Sequence, residues 1–117
     1  MATYNRQRLV RDCLIEIGIL DPNESPSAED YEATDAIVQQ RMEGLYEEGL
    51  IPFDLDGNIP ARFMRPLVKA ISGELVAAYG VQSRAELLLM RAAEGVRELW
   101  ALRDQTQIDT PTKATYF

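Results

Sequence analysis

The chain has 117 residues, the size of a single domain, and its 19 acidic and 12 basic residues give a net charge of −7. Such an acidic chain disfavours a grip on nucleic-acid phosphates, which needs clustered Lys and Arg. The chain has no histidine and one cysteine, Cys13, which excludes an internal disulfide, Ser-His and Cys-His catalysis and most zinc sites. No apolar run approaches the roughly 20 residues that span a bilayer, so no membrane association is expected.

The first predicted helix covers residues 4–18. Its apolar residues recur every three or four positions, which makes Cys13 a core residue and places Gly18 where a left-handed residue ends a helix. Three arginines lie beside this stripe: Arg6, Arg8 and Arg11. They form either a solvated face or an ion-pair surface for an acidic neighbour, such as the second helix of this chain or of another copy.

The second predicted helix begins at Ser27, after a proline-containing loop, and ends before Gly49. Its inward side includes Tyr31 and Tyr46, and its outer face is strongly acidic. The surrounding segment, residues 21–56, holds eleven acidic residues and one basic residue. Such a run is typical of a solvated face. Three of its carboxylates are also candidate contacts between copies: Glu32, Asp35 and Glu43.

Residues 49–61 form a connection in which apolar residues stand between glycine and prolines. A short β-hairpin around residues 50–60 is one interpretation. A calcium loop counted from Asp54 fails, because its sixth and twelfth positions are Ile59 and Arg65 instead of Gly and Glu. The polar turn and its aromatic neighbour form a candidate contact loop: Phe53, Asp54, Asp56 and Asn58.

The third predicted helix follows Pro60, ends at Gly80 and has the most apolar stripe, so it should be central. A fourth helix reaches to about Asp104, with an inward face predicted at Leu87, Leu88, Val96, Leu99 and Trp100. The expected fold is all-α, a compact bundle of about four helices over residues 1–104.

Residues 105–117 are Thr-rich, interrupted by a proline and end in Tyr116 and Phe117. They are predicted to form an extended C-terminal arm, which is either a frayed terminus or a segment that anchors its aromatics on a partner.

With these elements placed, the chain resembles the head-to-tail connector family of tailed phages, the adaptor, head-completion or packaged-DNA stabilisation proteins. Three stretches carry the resemblance, which covers roughly residues 7–105. They are Leu9-Val10-Arg11 through Leu14 to Ile17-Gly18-Ile19, Asp35-Ala36-Ile37 through Met42 to Glu48-Gly49-Leu50-Ile51, and Ile59-Pro60 followed by a Val-, Ala- and Leu-rich helix to Ala77-Ala78-Tyr79-Gly80.

The resemblance implies a structural role without a reaction. Copies would form a ring on the portal protein, a dodecamer set by portal symmetry, which extends the DNA channel and attaches a downstream tail protein. Encapsidated DNA would pass through without sequence-specific binding. The protein would be made in the bacterial host cytoplasm and reside at the head-tail junction of the virion. The arm would dock on the portal through Ile108, Thr115, Tyr116 and Phe117, and the loop at Phe53, Asp54, Asp56 and Asn58 would face the tail.

The alternative hypothesis is a small acidic helical binding module that regulates a basic protein partner. An enzyme is disfavoured, because the sequence offers no clustered catalytic residues, and no cofactor or metal site is expected.

Overall fold

The computed structural model describes residues 3–109, and it describes the side chains of residues 3–81 and 83–104. The elements in chain order are β1 (Thr3–Tyr4), α1 (Arg6–Glu16), α2 (Ala28–Glu47), β2 (Ile59–Pro60), α3 (Ala61–Tyr79), a 3-10 turn (Gln82–Arg84) and α4 (Ala85–Asp109). The predicted helical bundle of four helices is confirmed.

Glycines terminate α1 and α2 through the same hydrogen-bond motif. Gly18 and Gly49 both have φ near +80°, a conformation that side chains with a β-carbon rarely adopt. In each case the amide after the glycine donates to a carbonyl one turn back, from Ile19 to Leu14 and from Leu50 to Leu45, both at 3.0 Å. These bonds satisfy the last carbonyls of each helix, so both ends follow from the local sequence.

The starts of the same two helices are also capped locally. The Asn5 side chain accepts a hydrogen bond from the Arg8 amide at 2.9 Å, and the Ser27 hydroxyl accepts one from the Asp30 amide at 3.1 Å. Each cap satisfies one of the amide groups that a helix N-terminus leaves without a partner.

Helix α3 lies at the centre of the bundle, as its apolar stripe predicts. It packs against α1, α2 and α4, whereas α4 packs chiefly along α3. Ten of its nineteen residues are buried, from Phe63 to Val76. Leu67, Ile71 and Leu75 are completely buried, and each contributes about 1.5–3 kcal/mol of apolar transfer free energy.

The two short strands bring the segment before α1 next to the segment before α3. Thr3 pairs with Pro60 and Tyr4 with Ile59, in an antiparallel two-stranded sheet. Residues 50–60 therefore do contain a strand, Ile59–Pro60. Its partner is the segment before α1, and not another strand within residues 50–60. A contact over this sequence distance cannot be read from local turn residues.

Helices α3 and α4 cross with almost no side chain between them. A β-carbon on Gly95 would lie 2.7 Å from the Pro66 carbonyl oxygen and 2.8 Å from the Ala70 amide nitrogen. A β-carbon on Gly73 would lie 2.7 Å from that of Ala92. Close approach at both points requires glycine, since neither backbone nor a methyl group can yield at these distances.

Charged side chains flank this crossing. Lys69 of α3 bonds Glu98 of α4 at 2.8 Å and lies 3.7 Å from Glu94. On the same side of both helices, Glu16 at the end of α1 accepts from Arg65 of α3 at 3.2 Å and from Arg91 of α4 at 2.9 Å. The Glu16 side chain is only 10% exposed, so it links three helices through a mostly buried carboxylate.

Helix α4 passes the predicted end of the domain at Asp104 and continues to Asp109. Between Asp104 and Pro111 the sequence contains no glycine or proline that would end the helix. Pro111 itself restricts the backbone only of the residue immediately before it. The predicted arm therefore divides into helical residues 105–109 and residues 110–117, which lie outside the described chain.

Gly95→Ala should lower the free energy of unfolding by about 2 kcal/mol or more, because the new methyl group collides with the α3 backbone. Gly44→Ala in α2 is the matched control: nothing lies within 4 Å of its β-carbon position, so the same change should raise the free energy by about 0.5–1 kcal/mol. Urea denaturation measures both, and stabilisation by both substitutions would contradict the tight crossing.

Glu16→Gln should lower the free energy of unfolding by about 1–2 kcal/mol, because the neutral amide leaves Arg65 and Arg91 without their anion. Asp12→Asn on the same helix removes only an exposed pair with Arg8 and should cost less than about 0.5 kcal/mol. The same denaturation experiment compares the two variants. Equal effects would show that the Glu16 cluster does not hold the helices together.

Candidate interaction surfaces

The outward side of α4 exposes large apolar side chains. Leu89 is 55% exposed and Met90 58%, while Leu87 and Trp100 are 40% and 39% exposed. The prediction that Leu87 and Trp100 face the core is therefore wrong. Helix α4 packs chiefly along α3, so only the side of α4 containing Leu88 and Leu99 is fully covered.

Sequence reasoning missed this surface although the chain indicates it. Residues 87–90 are four consecutive apolar residues, Leu-Leu-Leu-Met. Successive helical residues point about 100° apart, so four in a row cannot all contact one neighbouring helix. Some of them had to be exposed, and Tyr46 of α2, predicted to be inward, is likewise 52% exposed.

The outer face of α2 is acidic, as predicted. Five exposed residues follow one side of the helix at intervals of three, eight, three and four positions: Glu29, Glu32, Gln40, Glu43 and Glu47. We call these residues the acidic stripe. The one basic residue of α2, Arg41, lies on another side of the helix, 4.0 Å from Glu74 of α3. The acidic stripe therefore presents a negative surface to its surroundings.

The candidate arginines of α1 have partners within the chain. Arg6 forms an ion pair with Asp35 of α2 at 2.8 Å, and both side chains are largely covered. Arg8 pairs with Asp12 at 3.2 Å, and Arg11 donates to the Pro22 carbonyl oxygen. The second interpretation, an ion-pair surface whose acidic neighbour is the second helix of this chain, therefore applies to Arg6 and Asp35. Roles between copies stay predictions for the exposed residues of this set.

A hollow of about 750 Å³ opens between the starts of α1 and α2. Arg8, Arg11 and Glu32 contribute its charged groups, and Tyr31 lines it with a half-buried ring. Burial raises the pKa of the Tyr31 phenol, and the Asp35 carboxylate raises it further while Arg6 opposes the shift. Three of the six candidate inter-subunit residues thus share one concave surface.

The candidate contact loop is anchored at one end. Phe53 packs edge-on against Phe63 of α3, with ring centroids 5.2 Å apart. The Asp54 carboxylate accepts from the Asp56 amide at 3.0 Å, and the Asp54 carbonyl accepts from the Gly57 amide, which builds the predicted polar turn. Asp54, Asp56 and Asn58 are exposed beside it. The loop therefore presents polar groups on a fixed apolar base.

Of the predicted portal-docking residues, Ile108 belongs to the last turn of α4. Thr115, Tyr116 and Phe117 lie outside the described residues.

Cys13 is completely buried, and this burial raises the pKa of its thiol far above the ordinary value, with the neighbouring Ser72 hydroxyl opposing the shift only in part. A neutral, inaccessible thiol is a core residue, as predicted. Among the described side chains, those of residues 3–81 and 83–104, no group of His, Cys, Asp or Glu could hold a metal ion. None of the described helices is long and apolar enough to cross a membrane.

No family model, curated protein or solved structure matches this chain.

Proposed function

We propose that the protein is a structural virion protein, a head-to-tail adaptor that forms a ring on the portal, extends the DNA channel and attaches tail components. The proposal rests on the resemblance to the connector family together with the surfaces of the folded chain. It requires no catalytic residue, metal or cofactor.

The positions of the helix boundaries carry this proposal. Gly18 and Gly49 each end a helix through the same hydrogen-bond motif, and Ile59-Pro60 directly precedes the central helix. These are the three places where the resemblance to connector proteins lies. The sequence features that suggest the family therefore coincide with boundaries of the folded helices.

Two surfaces suit a ring subunit. The exposed apolar side of α4 leaves Leu89, Met90 and Trp100 available for neighbouring proteins, and exposed apolar area of this kind marks interaction sites. The acidic stripe of α2 suits the wall of a DNA channel, because it repels phosphates and lets DNA slide without adhesion. The dodecameric copy number follows from portal symmetry and is part of the proposal.

The docking arm can be tested with a truncation after Asp109, which leaves α4 complete. The full chain, mixed with the portal of the same genome, should elute as a portal-sized complex in gel filtration with light scattering. Removal of residues 110–117 should abolish this complex, because the aromatic anchors are gone, while the thermal unfolding midpoint stays unchanged. An unfolded truncated chain would count against the arm as a separate docking segment.

A matched pair of double substitutions locates the anchor within the arm. Tyr116→Ala with Phe117→Ala should prevent complex formation, whereas Thr110→Ala with Thr112→Ala should leave it intact, because only the first pair removes aromatic contact area. If the full chain does not bind the portal under any condition, the adaptor function is refuted.

The acidic stripe favours a second candidate function, a small regulatory module that binds a basic protein partner. From Glu29 to Glu47 the stripe is about 27 Å long at 1.5 Å per residue. Its carboxylates lie along one side of α2 and carry no compensating cation among the ion pairs of the described residues. A surface of this kind attracts basic proteins and steers their approach.

Neutralising the stripe tests that second function. A variant with glutamine at four stripe positions should bind oligolysine several-fold more weakly than the native chain in fluorescence titration at low salt, because the clustered charges act together. The substituted residues are Glu29, Glu32, Glu43 and Glu47. A control with the same change in net charge neutralises Glu24, Asp56, Glu74 and Asp104. Equal losses in both variants would show that only net charge matters.

A further inference from the structure

One side of α4 carries six residues with a symmetric spacing. They follow one another at intervals of three, four, three, four and three positions, so they share one side of the helix. We call them the α4 stripe: Glu86, Leu89, Ala93, Val96, Trp100 and Arg103. Reading the stripe from either end gives the same intervals. Its apolar residues lie in the middle, with an acidic residue at one end and a basic residue at the other.

The α4 stripe is accessible on the folded chain. Leu89 is the most exposed of its apolar residues, and Ala93 and Glu86 are exposed with it. Trp100 is also exposed, and the Arg103 guanidinium lies over its ring at 5.2 Å from the centroid. Arg103 also forms a long, exposed ion pair with Asp104 at 4.0 Å, which a second copy's Glu86 would have to replace or share. Val96 is half-buried, and Leu89 reaches the edge of the α3 contact near Gly73. The stripe thus lies along the flank of α4 beside its contact with α3.

Two copies of the α4 stripe complement each other when they run antiparallel. A two-fold axis between Glu94 and Gly95 places Glu86 of each copy opposite Arg103 of the other. The same axis places Leu89 opposite Trp100 and Ala93 opposite Val96, so large residues meet at two points and small ones near the axis. In a parallel arrangement, Glu86 would lie opposite Glu86 and Arg103 opposite Arg103, so like charges would repel. The charges therefore select the antiparallel orientation.

We propose that the free protein forms a dimer through antiparallel contact of two α4 stripes. The contact is isologous and closes at two copies, whereas a ring requires a heterologous contact. The dimer therefore goes beyond the adaptor function: it protects the exposed side of α4 before assembly, and ring formation displaces it.

The size of the stripe sets the strength of this dimer. From Glu86 to Arg103 it is about 26 Å long at 1.5 Å per residue. Two such strips bury roughly 800 Å² in total, below the size of most stable interfaces, so a weak, concentration-dependent dimer is expected. Such a dimer forms at high protein concentration and dissociates when a ring of many subunits assembles.

Residues 110–117 fit this surface less well than a second copy does. That segment contains one basic residue, Lys113, and no acidic residue. Its side chains can therefore offer a cation to Glu86 but no carboxylate to Arg103, whereas the side chains of a second copy offer both.

A charge exchange tests the dimer in the full chain without any portal. Sedimentation velocity over a concentration series should give a monomer–dimer equilibrium for the native protein. Glu86→Arg and Arg103→Glu should each raise the Kd roughly tenfold or more, because each places like charges opposite each other at both ends. The double variant Glu86→Arg/Arg103→Glu should restore the native Kd. That result would also show that the weaker dimerisation of the single variants is not caused by a folding defect.

Apolar substitutions provide the matched control. Leu89→Glu, within the stripe, should abolish dimerisation, whereas Leu87→Glu, on another side of α4, should leave the Kd unchanged. A native chain that stays monomeric at all concentrations would overturn the proposal, as would a double charge variant that fails to restore the dimer or equal losses at Leu89 and Leu87. If the protein dimerised only after removal of residues 110–117, the proposal would also be overturned, because the arm would then be what covers the α4 stripe in the full chain.

Discussion

Gly95 lies against the backbone of α3, where a β-carbon would meet the Pro66 carbonyl oxygen at 2.7 Å. This close approach, repeated where Gly73 meets Ala92, sets the position of α4 against the central helix. The ion pairs of Lys69 and Glu16 beside this contact add polar links between α4 and the rest of the bundle. Because the crossing leaves so little space, the large apolar residues of α4 cannot all enter the core.

The exposed surfaces follow from that crossing. Leu88 and Leu99 occupy the side of α4 that faces α3, so Leu89 and Trp100 are left on its flank. Helix α2 lies elsewhere in the bundle and contributes a surface of opposite character, with carboxylates in place of apolar side chains. A ring subunit needs distinct surfaces for neighbours and for DNA, and a binding module needs only one of them. The separation of the two surfaces is one of the reasons for which we propose an adaptor.

The sequence predicted the helices because their boundaries depend on local chemistry. Ser27 caps α2, and Gly18 and Gly49 end α1 and α2, each through hydrogen bonds within one turn. The most apolar stripe also identified α3 as the central helix. The errors concern Trp100, Leu87 and Tyr46, residues whose type suggests burial but whose burial depends on which helices are neighbours. The end of α4 was placed too early, since Thr-rich composition does not stop a helix without a breaker.

The sequence by itself determined the number of helices, the Ser27 cap and the terminating glycines, the acidic face of α2 and the buried state of Cys13. Only the tertiary structure decided that β2 pairs with the segment before α1, that Arg6 reaches Asp35, and that Glu16 joins three helices. It also decided which apolar residues of α4 stay outside. The reason is that hydrogen bonds within one turn are specified by neighbouring residues, whereas contacts between helices depend on distances that only the packed backbone defines.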